Sequence, residues 1–206
     1  DKEKLAFDRL KNYSDLYQFI LKNSKKNDKN IVMIDEVQEI DSFEKALHHP
    51  IDENTALQLK DEIKDAKSIL VLADNTGETV FDKLLIETME TDANIFYAAK
   101  DSPIINDATV EDAKSVGLDA VATVISNGTN APGTLMDKCS QEFLEIYQRA
   151  DVILSKGQAN FETLNNEDKK IYLLTQMKCS VIAGKYHYKV GDWIVATTHQ
   201  LKEELA

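Results

Sequence analysis

Apolar residues along this chain change their spacing near residue 66. Before it, Leu5, Leu10, Tyr13, Leu16, Tyr17, Ile20 and Leu21 recur at the interval that lines one face of a helix. That pattern ends in the polar run Asn23-Ser24-Lys25-Lys26-Asn27-Asp28-Lys29. Ile51 to Ala66 predicts a second helix, with Ala56, Leu59, Ile63 and Ala66 on one stripe. The run Ile31-Val32-Met33-Ile34 between them fits a strand or a helix equally.

From Lys67 onward short apolar runs alternate with amphipathic helical patterns. The runs are Ile69-Leu70-Val71-Leu72-Ala73, Ile95-Phe96-Tyr97-Ala98-Ala99, Ala120-Val121-Ala122-Thr123-Val124-Ile125, Val152-Ile153-Leu154, Ile171-Tyr172-Leu173-Leu174 and Val181-Ile182-Ala183. Short and apolar on both faces, they predict strands buried under helices on each side. The intervening helices show as stripes: Val80, Phe81, Leu84, Leu85 and Met89; then Val110, Ala113 and Val116, closed by Gly117; then Leu135, Cys139, Phe143 and Ile146. Such alternation predicts an α/β protein, a three-layer α/β/α sandwich with a mostly parallel sheet, preceded by a small helical N-terminal segment. The division falls at residues 1–66 and 67–206. Ligands of such folds bind beyond the carboxyl ends of the strands, where loops and helix N-termini converge.

Composition narrows the functions. The 206 residues carry 24 Lys and Arg against 36 Asp and Glu, a formal charge of −12, which repels nucleic-acid phosphates. A small phosphate ester remains a possible ligand if a metal ion or local Lys inverts the field. No run approaches the roughly 18 apolar residues of a membrane helix, and the Asp1-Lys2-Glu3-Lys4 start is not a signal peptide's. Cys139 and Cys179 form no CxxC pair and are expected as buried thiols of a reducing, cytoplasmic setting. The first residue is not Met, so a fragment or a processed form is expected.

The strand ends carry the chemistry. The first strand runs into Asp74-Asn75-Thr76-Gly77-Glu78, where Asp74 and Asn75 offer hard oxygen ligands of the kind Mg²⁺ or Mn²⁺ prefers. Gly77 permits a tight turn into a helix whose free N–H groups suit an anion. An Asx turn capping that helix explains the same residues without a metal. After the second strand, Asn106 and Asp107 precede a helix that Thr109 and Asp112 would cap. Asp107 is either a carboxylate favoured by that helix dipole or a second acidic group in one crevice with Asp74, where two carboxylates need a cation between them. The loop Ser126-Asn127-Gly128-Thr129-Asn130-Ala131-Pro132-Gly133-Thr134 supplies amides and hydroxyls to a polar ligand, Gly133 included, or is a plain turn. The fourth strand ends in Ser155-Lys156-Gly157-Gln158-Ala159-Asn160. Lys156 there either faces a phosphate oxygen, with Asn160 adding a hydrogen bond, or snorkels out at the sheet edge.

The segments LADNTGETVFDKLLIE, SPIINDATVEDAKSVGL, NAPGT and LSKGQANFETL, in that order, resemble the DUF89 family of metal-dependent damage-control phosphatases, most of all its compact archaeal and bacterial branch. The resemblance runs over roughly residues 67 to 196, down to VGDWIV. It implies that Asp74, Asn75 and Asp107 bind a divalent cation (Mg, Mn, Co or Ni) and that Lys156 contacts phosphate. It places Gly77 and Glu78 in one signature and Asn160 in another, and implies that these three, with Gly133, bind the substrate phosphate beside Lys156. It implies hydrolysis of sugar phosphates and similar small phosphorylated metabolites, with Asp74, Asp107 and Lys156 as the catalytic set. The branch usually begins with a longer helical region holding a CxxC pair, absent here, so a truncated start is expected. Its Gly-Asn-x-Ile-Asp stretch is echoed only by residues 29–35, making Asn30 and Asp35 weak candidates.

The sequence admits other readings. A haloacid-dehalogenase-type phosphatase wants a second Asp where Thr76 stands, and a dinucleotide fold wants G-x-G-x-x-G where only Gly77 is present. A carboxyl methyltransferase of the same family would need a nucleoside loop, and a non-catalytic metal- or metabolite-binding module would show no turnover. His48-His49 is a polar pair before Pro50, as a loop explains; His187 and His199 have no partner at ligand spacing, and no Ser-His-Asp or Cys-His set is recognisable.

Overall fold

A computed structural model describes residues 52–205. The expectations for the helix at Leu5–Leu21, the run Ile31–Ile34 and the candidates Asn30 and Asp35 lie outside the described residues.

Among the described residues one sheet holds six strands: β1 Ser68–Leu72, β2 Asn94–Ala99, β3 Thr123–Ser126, β4 Val152–Lys156, β5 Tyr172–Gln176 and β6 Trp193–Thr197. The helices are α1 Glu53–Asp65, α2 Thr79–Thr88, α3 Val110–Ser115, α4 Gln141–Arg149, α5 Gln158–Leu164, α6 Ser180–Lys185 and α7 Thr198–Glu204. The strand order is β3-β2-β1-β4-β5-β6, parallel except for β6 against β5. This is the mostly parallel α/β sheet that the alternating pattern predicts.

The period of two along the strands divides the interior. Leu70, Leu72, Ile153 and Leu173 face one side, in one core with Phe143 and Tyr147 of α4, Phe161 and Leu164 of α5, Ala183 of α6 and Leu201 of α7. Ile69, Val71, Leu154 and Tyr172 face the other, with Leu59 and Ile63 of α1, Ile86 of α2 and Ala113 of α3. Both faces being covered explains why β1 and β4 read as unbroken apolar runs.

Four local expectations are corrected. Val181-Ile182-Ala183 is not a strand but part of α6; Val181 is 76% exposed while Ala183 and Tyr186, three apart, are buried, a helical period. The missing strand is β6, whose Trp193-Ile194-Val195-Ala196-Thr197 pairs along β5 from Gln176 to Tyr172. Leu135 and Cys139 do not share a helix with Phe143; Ser140 caps α4 by accepting from Phe143 N at 3.2 Å, and only a single turn, Met136–Lys138, precedes it. Ala120 lies in a turn over Leu118–Ala120 that follows left-handed Gly117 (φ 76°), so β3 starts only at Thr123.

From β1 the chain steps outward to β2 and β3, then crosses to β4 on the other side of β1. The β1–β4 seam is thus the topological switch point, where adjoining loops diverge and leave a crevice.

Candidate functional site

The crevice is built from the ends of β1, β2 and β4. Past β1, Ala73 N still bonds Ala98 O at 2.9 Å, after which Asp74 and Asn75 leave the sheet. The segment after β2 folds back onto them. Ala108 N donates to Asp74 O at 2.7 Å, Thr76 N to Asn106 O at 2.8 Å, and Asn75 and Asp107 form an antiparallel bridge. The backbones bearing Asp74, Asn75 and Asp107 are therefore fixed side by side. Two residues before Asp107, Ile105 holds a left-handed φ of 49° and is 87% exposed, a costly conformation for a β-branched residue. Thr109 then caps α3 in a reciprocal box with Asp112.

Gly157 closes the crevice from the β4 side. At φ 86°, ψ 156° it occupies a region open essentially only to glycine, and a Cβ there would lie 2.1 Å from Asp74 Cγ. The Asp74 carboxylate rests on this bare backbone. Gly77, by contrast, has open space where a Cβ would go.

Lys156 does not snorkel outward. It is 3% exposed, and its ammonium lies 2.6 Å from Glu78 Oε2 and 2.5 Å from Asp82 Oδ1. Burial disfavours this ammonium, but the two carboxylates outweigh burial and hold the pKa above lysine's usual value. Burial pushes the Asp82 carboxyl up against the pull of Lys156. Tyr97 donates to Asp82 Oδ2 at 2.7 Å. Glu78, 1% exposed, accepts from Asn75 Nδ2 at 2.7 Å on its other oxygen, and Asp74 Oδ2 accepts from the same nitrogen at 2.9 Å. Asn160 commits both ends of its amide, donating to Ala73 O at 3.0 Å and Lys156 O at 2.7 Å while accepting from Thr134 Oγ1 at 2.8 Å. It ties the ends of β1 and β4 to the loop after β3. Gly133 (φ 71°) sits in that loop, where a Cβ would meet Ala159 O at 2.5 Å.

Three residues of this assembly escape a reading of the sequence: Lys100, Asp82 and Tyr97. Lys100 directly follows β2 and is 4% exposed; its ammonium donates to Ala131 O at 2.8 Å and to Gly133 O, and lies 3.7 Å from Asp107 Oδ2. Burial lowers its pKa against the opposing pull of Asp107, and burial raises that of Asp107 against Lys100. The signal was available, since a Lys directly at the end of an apolar run is what singled out Lys156. Asp82 was hidden inside the apolar stripe of α2, and Tyr97 read as core.

Among the described residues no three His, Cys, Asp or Glu side chains form a ready-made metal group. Asp74, Asn75 and Asp107 instead offer two carboxylates and an amide, a donor set that suits a hard cation keeping water or substrate oxygens in its other positions. The residues present fit such an ion.

The profile of the damage-control phosphatase ARMT1-like domain matches residues 21–194. The chain belongs to that family. Damage-control phosphatase PH1575 of Pyrococcus horikoshii is 42% identical over 154 residues, 73% of this chain and 54% of the relative. An Archaeoglobus fulgidus protein named damage-control phosphatase is 33% identical over 75% of this chain and 55% of its own length. The uncharacterized protein MJ0202 of Methanocaldococcus jannaschii is 41% identical over 65% of this chain and 45% of its own. The chain spans about half the length of these curated relatives. The crystal structure of the DUF89 family protein ph1575 from Pyrococcus horikoshii superposes with a TM-score of 0.80 at 33% identity, covering 89% of this chain and 70% of that one. That structure shares the α/β frame described above. No helix among the described residues is long and apolar enough to cross a membrane.

Proposed function

We propose that the chain is a divalent-metal-dependent phosphatase acting on small, sugar-phosphate-like monoesters. The observation that carries this reading is the bridge between Asn75 and Asp107, which brings two acidic segments together at the switch point of the sheet. Asp74, Asn75 and Asp107 would hold the cation. Its chemistry when bound is to polarise a phosphoryl oxygen and to make a water more acidic.

The chain's own groups account for the rest. Lys156 has two of its N–H bonds aimed at Glu78 and Asp82 and one left to offer the phosphoryl group. Its charge is fixed in place before substrate arrives, so no reorganisation is needed as charge develops. Lys100 steadies Asp107 and the loop through Gly133. Asn160 keeps Ala73 and Lys156 at a set spacing, so its role is to position those segments. The two relatives named damage-control phosphatase support a phosphatase, and net −12 disfavours polyanionic partners such as nucleic acid.

The test is phosphate release from an aryl phosphate and a panel of sugar phosphates with Mg²⁺, Mn²⁺, Co²⁺ or Ni²⁺. Turnover abolished by chelator, and lowered at least a hundredfold in Asp74→Asn and Asp107→Asn, is the expected result; losing a key electrostatic element costs about 3 kcal/mol. Metal binding with no turnover of any ester would make the chain a binding module, and unchanged turnover in both variants would sink the ligand assignment.

A further inference from the structure

The Asn75 side chain raises a question of orientation. An amide's nitrogen and oxygen prongs are nearly the same size, so shape alone does not decide which one a cation meets. Here the partners decide. Asn75 Nδ2 lies between Glu78 Oε1 at 2.7 Å and Asp74 Oδ2 at 2.9 Å, and carboxylate oxygens accept hydrogen bonds. Exchanging the prongs would set oxygen against two oxygens. The Asn75 oxygen is therefore turned away from both.

Glu78 is itself prevented from turning. Its other oxygen accepts from Lys156 at 2.6 Å, Lys156 is held by Asp82 at 2.5 Å, and Tyr97 donates to the far side of Asp82 at 2.7 Å. Every member of this chain is buried. We infer that Glu78 is a positioning residue, not a substrate contact: the buried relay Tyr97–Asp82–Lys156–Glu78 fixes the Asn75 amide so that its oxygen is the prong offered to a cation. The inference rests on the metal-site reading above.

The relay dictates what a near-isosteric change does. In Glu78→Gln, Lys156 still demands an acceptor, so the Gln oxygen stays on Lys156 and its NH₂ group faces Asn75. Asn75 then either sets its NH₂ group against that of the Gln or turns its oxygen inward at the cost of its bond to Asp74, so the prong offered to a cation is no longer fixed. Outer-shell partners of metal ligands typically contribute 10- to 100-fold in affinity. In Asn75→Asp no such choice exists, because a carboxylate offers an oxygen on either prong.

The experiment is Mn²⁺ calorimetry on the wild-type chain, Glu78→Gln, Asn75→Asp/Glu78→Gln and Asp107→Asn, each with its metal-free thermal midpoint recorded. Expected are a 10- to 100-fold weaker Kd for Glu78→Gln and recovery to within threefold of wild type in the double variant. Rescue is the readout that a purely structural role for Glu78 does not produce. Equal Kd values for wild type and Glu78→Gln, or a loss that the second substitution fails to restore, overturn the inference while leaving the cation site standing. No Mn²⁺ binding by the wild type removes the cation site itself and this inference with it. A second measurement needs no variant: the Asn75 side-chain NH₂ protons of the wild type, followed by NMR, should exchange slowly with solvent with and without Mg²⁺. Fast exchange before Mg²⁺ is added overturns the relay.

Discussion

The lysine at the end of β4 changes meaning between sequence and structure. A lysine on a sheet edge contributes little to stability, whereas Lys156 is buried between the Glu78 and Asp82 carboxylates. Removing one partner of a buried ion pair costs about 3–5 kcal/mol, because the remaining charge is left without compensation. Lys156→Ala is expected to lose that much in urea unfolding, and a change under about 0.5 kcal/mol, ordinary for a surface site, would contradict the relay. Gly157 makes a sharper case. Its backbone angles and its contact with the Asp74 carboxylate both exclude a side chain. Gly157→Ala should displace Asp74 and remove the rise in thermal midpoint that Mn²⁺ produces in the wild type; a full response to Mn²⁺ in this variant would show that Asp74 does not bind the ion.

At the scale of elements, α3 connects helix capping to the site. It is a short helix, Val110–Ser115, and its N-cap Thr109 lies two residues past Asp107. Thr109 N and Oγ1 both donate to Asp112 Oδ2, at 2.9 and 2.7 Å, and Thr109 Oγ1 accepts from Asp112 N at 3.1 Å. Thr109→Ala should cost about 1 kcal/mol in chemical denaturation. The acid side of the stability curve provides a second check. Burial works against ionisation of Asp112, but the bonds from Thr109 and Thr76 prevail, and its pKa in the folded chain is below the ordinary 3.8. A carboxylate depressed by folding stabilises the chain above its unfolded value and loses that contribution as pH falls through the folded one. Asp112→Asn should therefore flatten the loss of stability below about pH 4 relative to wild type, and parallel acid curves would refute the capping box.

How much was legible follows from what each element depends on. Strands β1, β2, β4 and β5 are apolar on both faces because helices cover them, so a run of letters suffices. The α6 segment failed because a three-residue apolar run carries no period, and what fixes it as helix is the burial of Ala183 and Tyr186. Strand β6 escapes the pattern because Trp193 to Thr197 follows the turn Lys189-Val190-Gly191-Asp192 with no amphipathic helical stripe legible in the sequence before it, and its pairing with β5 is set only by tertiary structure. Asp74, Asn75 and Asp107 stand out in the sequence because they follow apolar runs, and the structure brings the segments that bear them together. Partners were not visible, since Lys156 meets Asp82 across 74 residues of sequence.

For the whole molecule, charge and fold combine. At a net −12 the segments bearing Asp74 and Asp107 are held together by backbone bonds against their own repulsion, with Lys100 as partial relief. A cation that binds only the folded chain adds RT ln(1 + [L]/Kd), about 2.7 kcal/mol at a hundredfold excess. The thermal midpoint should rise with Mn²⁺, return with chelator, and respond little in Asp107→Asn; a flat midpoint in metal-free wild type would remove the basis for the phosphatase proposal.

The strand order has one more consequence, for synthesis on the ribosome. Strand β1 ends at Leu72, and the strand that pairs with its second edge, β4, begins only at Val152. While the intervening chain emerges, the apolar strand at the middle of the final sheet has one edge of unpaired amides and carbonyls. Such an edge recruits other strands, and translation at about 5–20 residues per second leaves it uncovered for several seconds. A nascent chain arrested near residue 150 should therefore bind holdase chaperones strongly, and release them once β4 has cleared the exit tunnel.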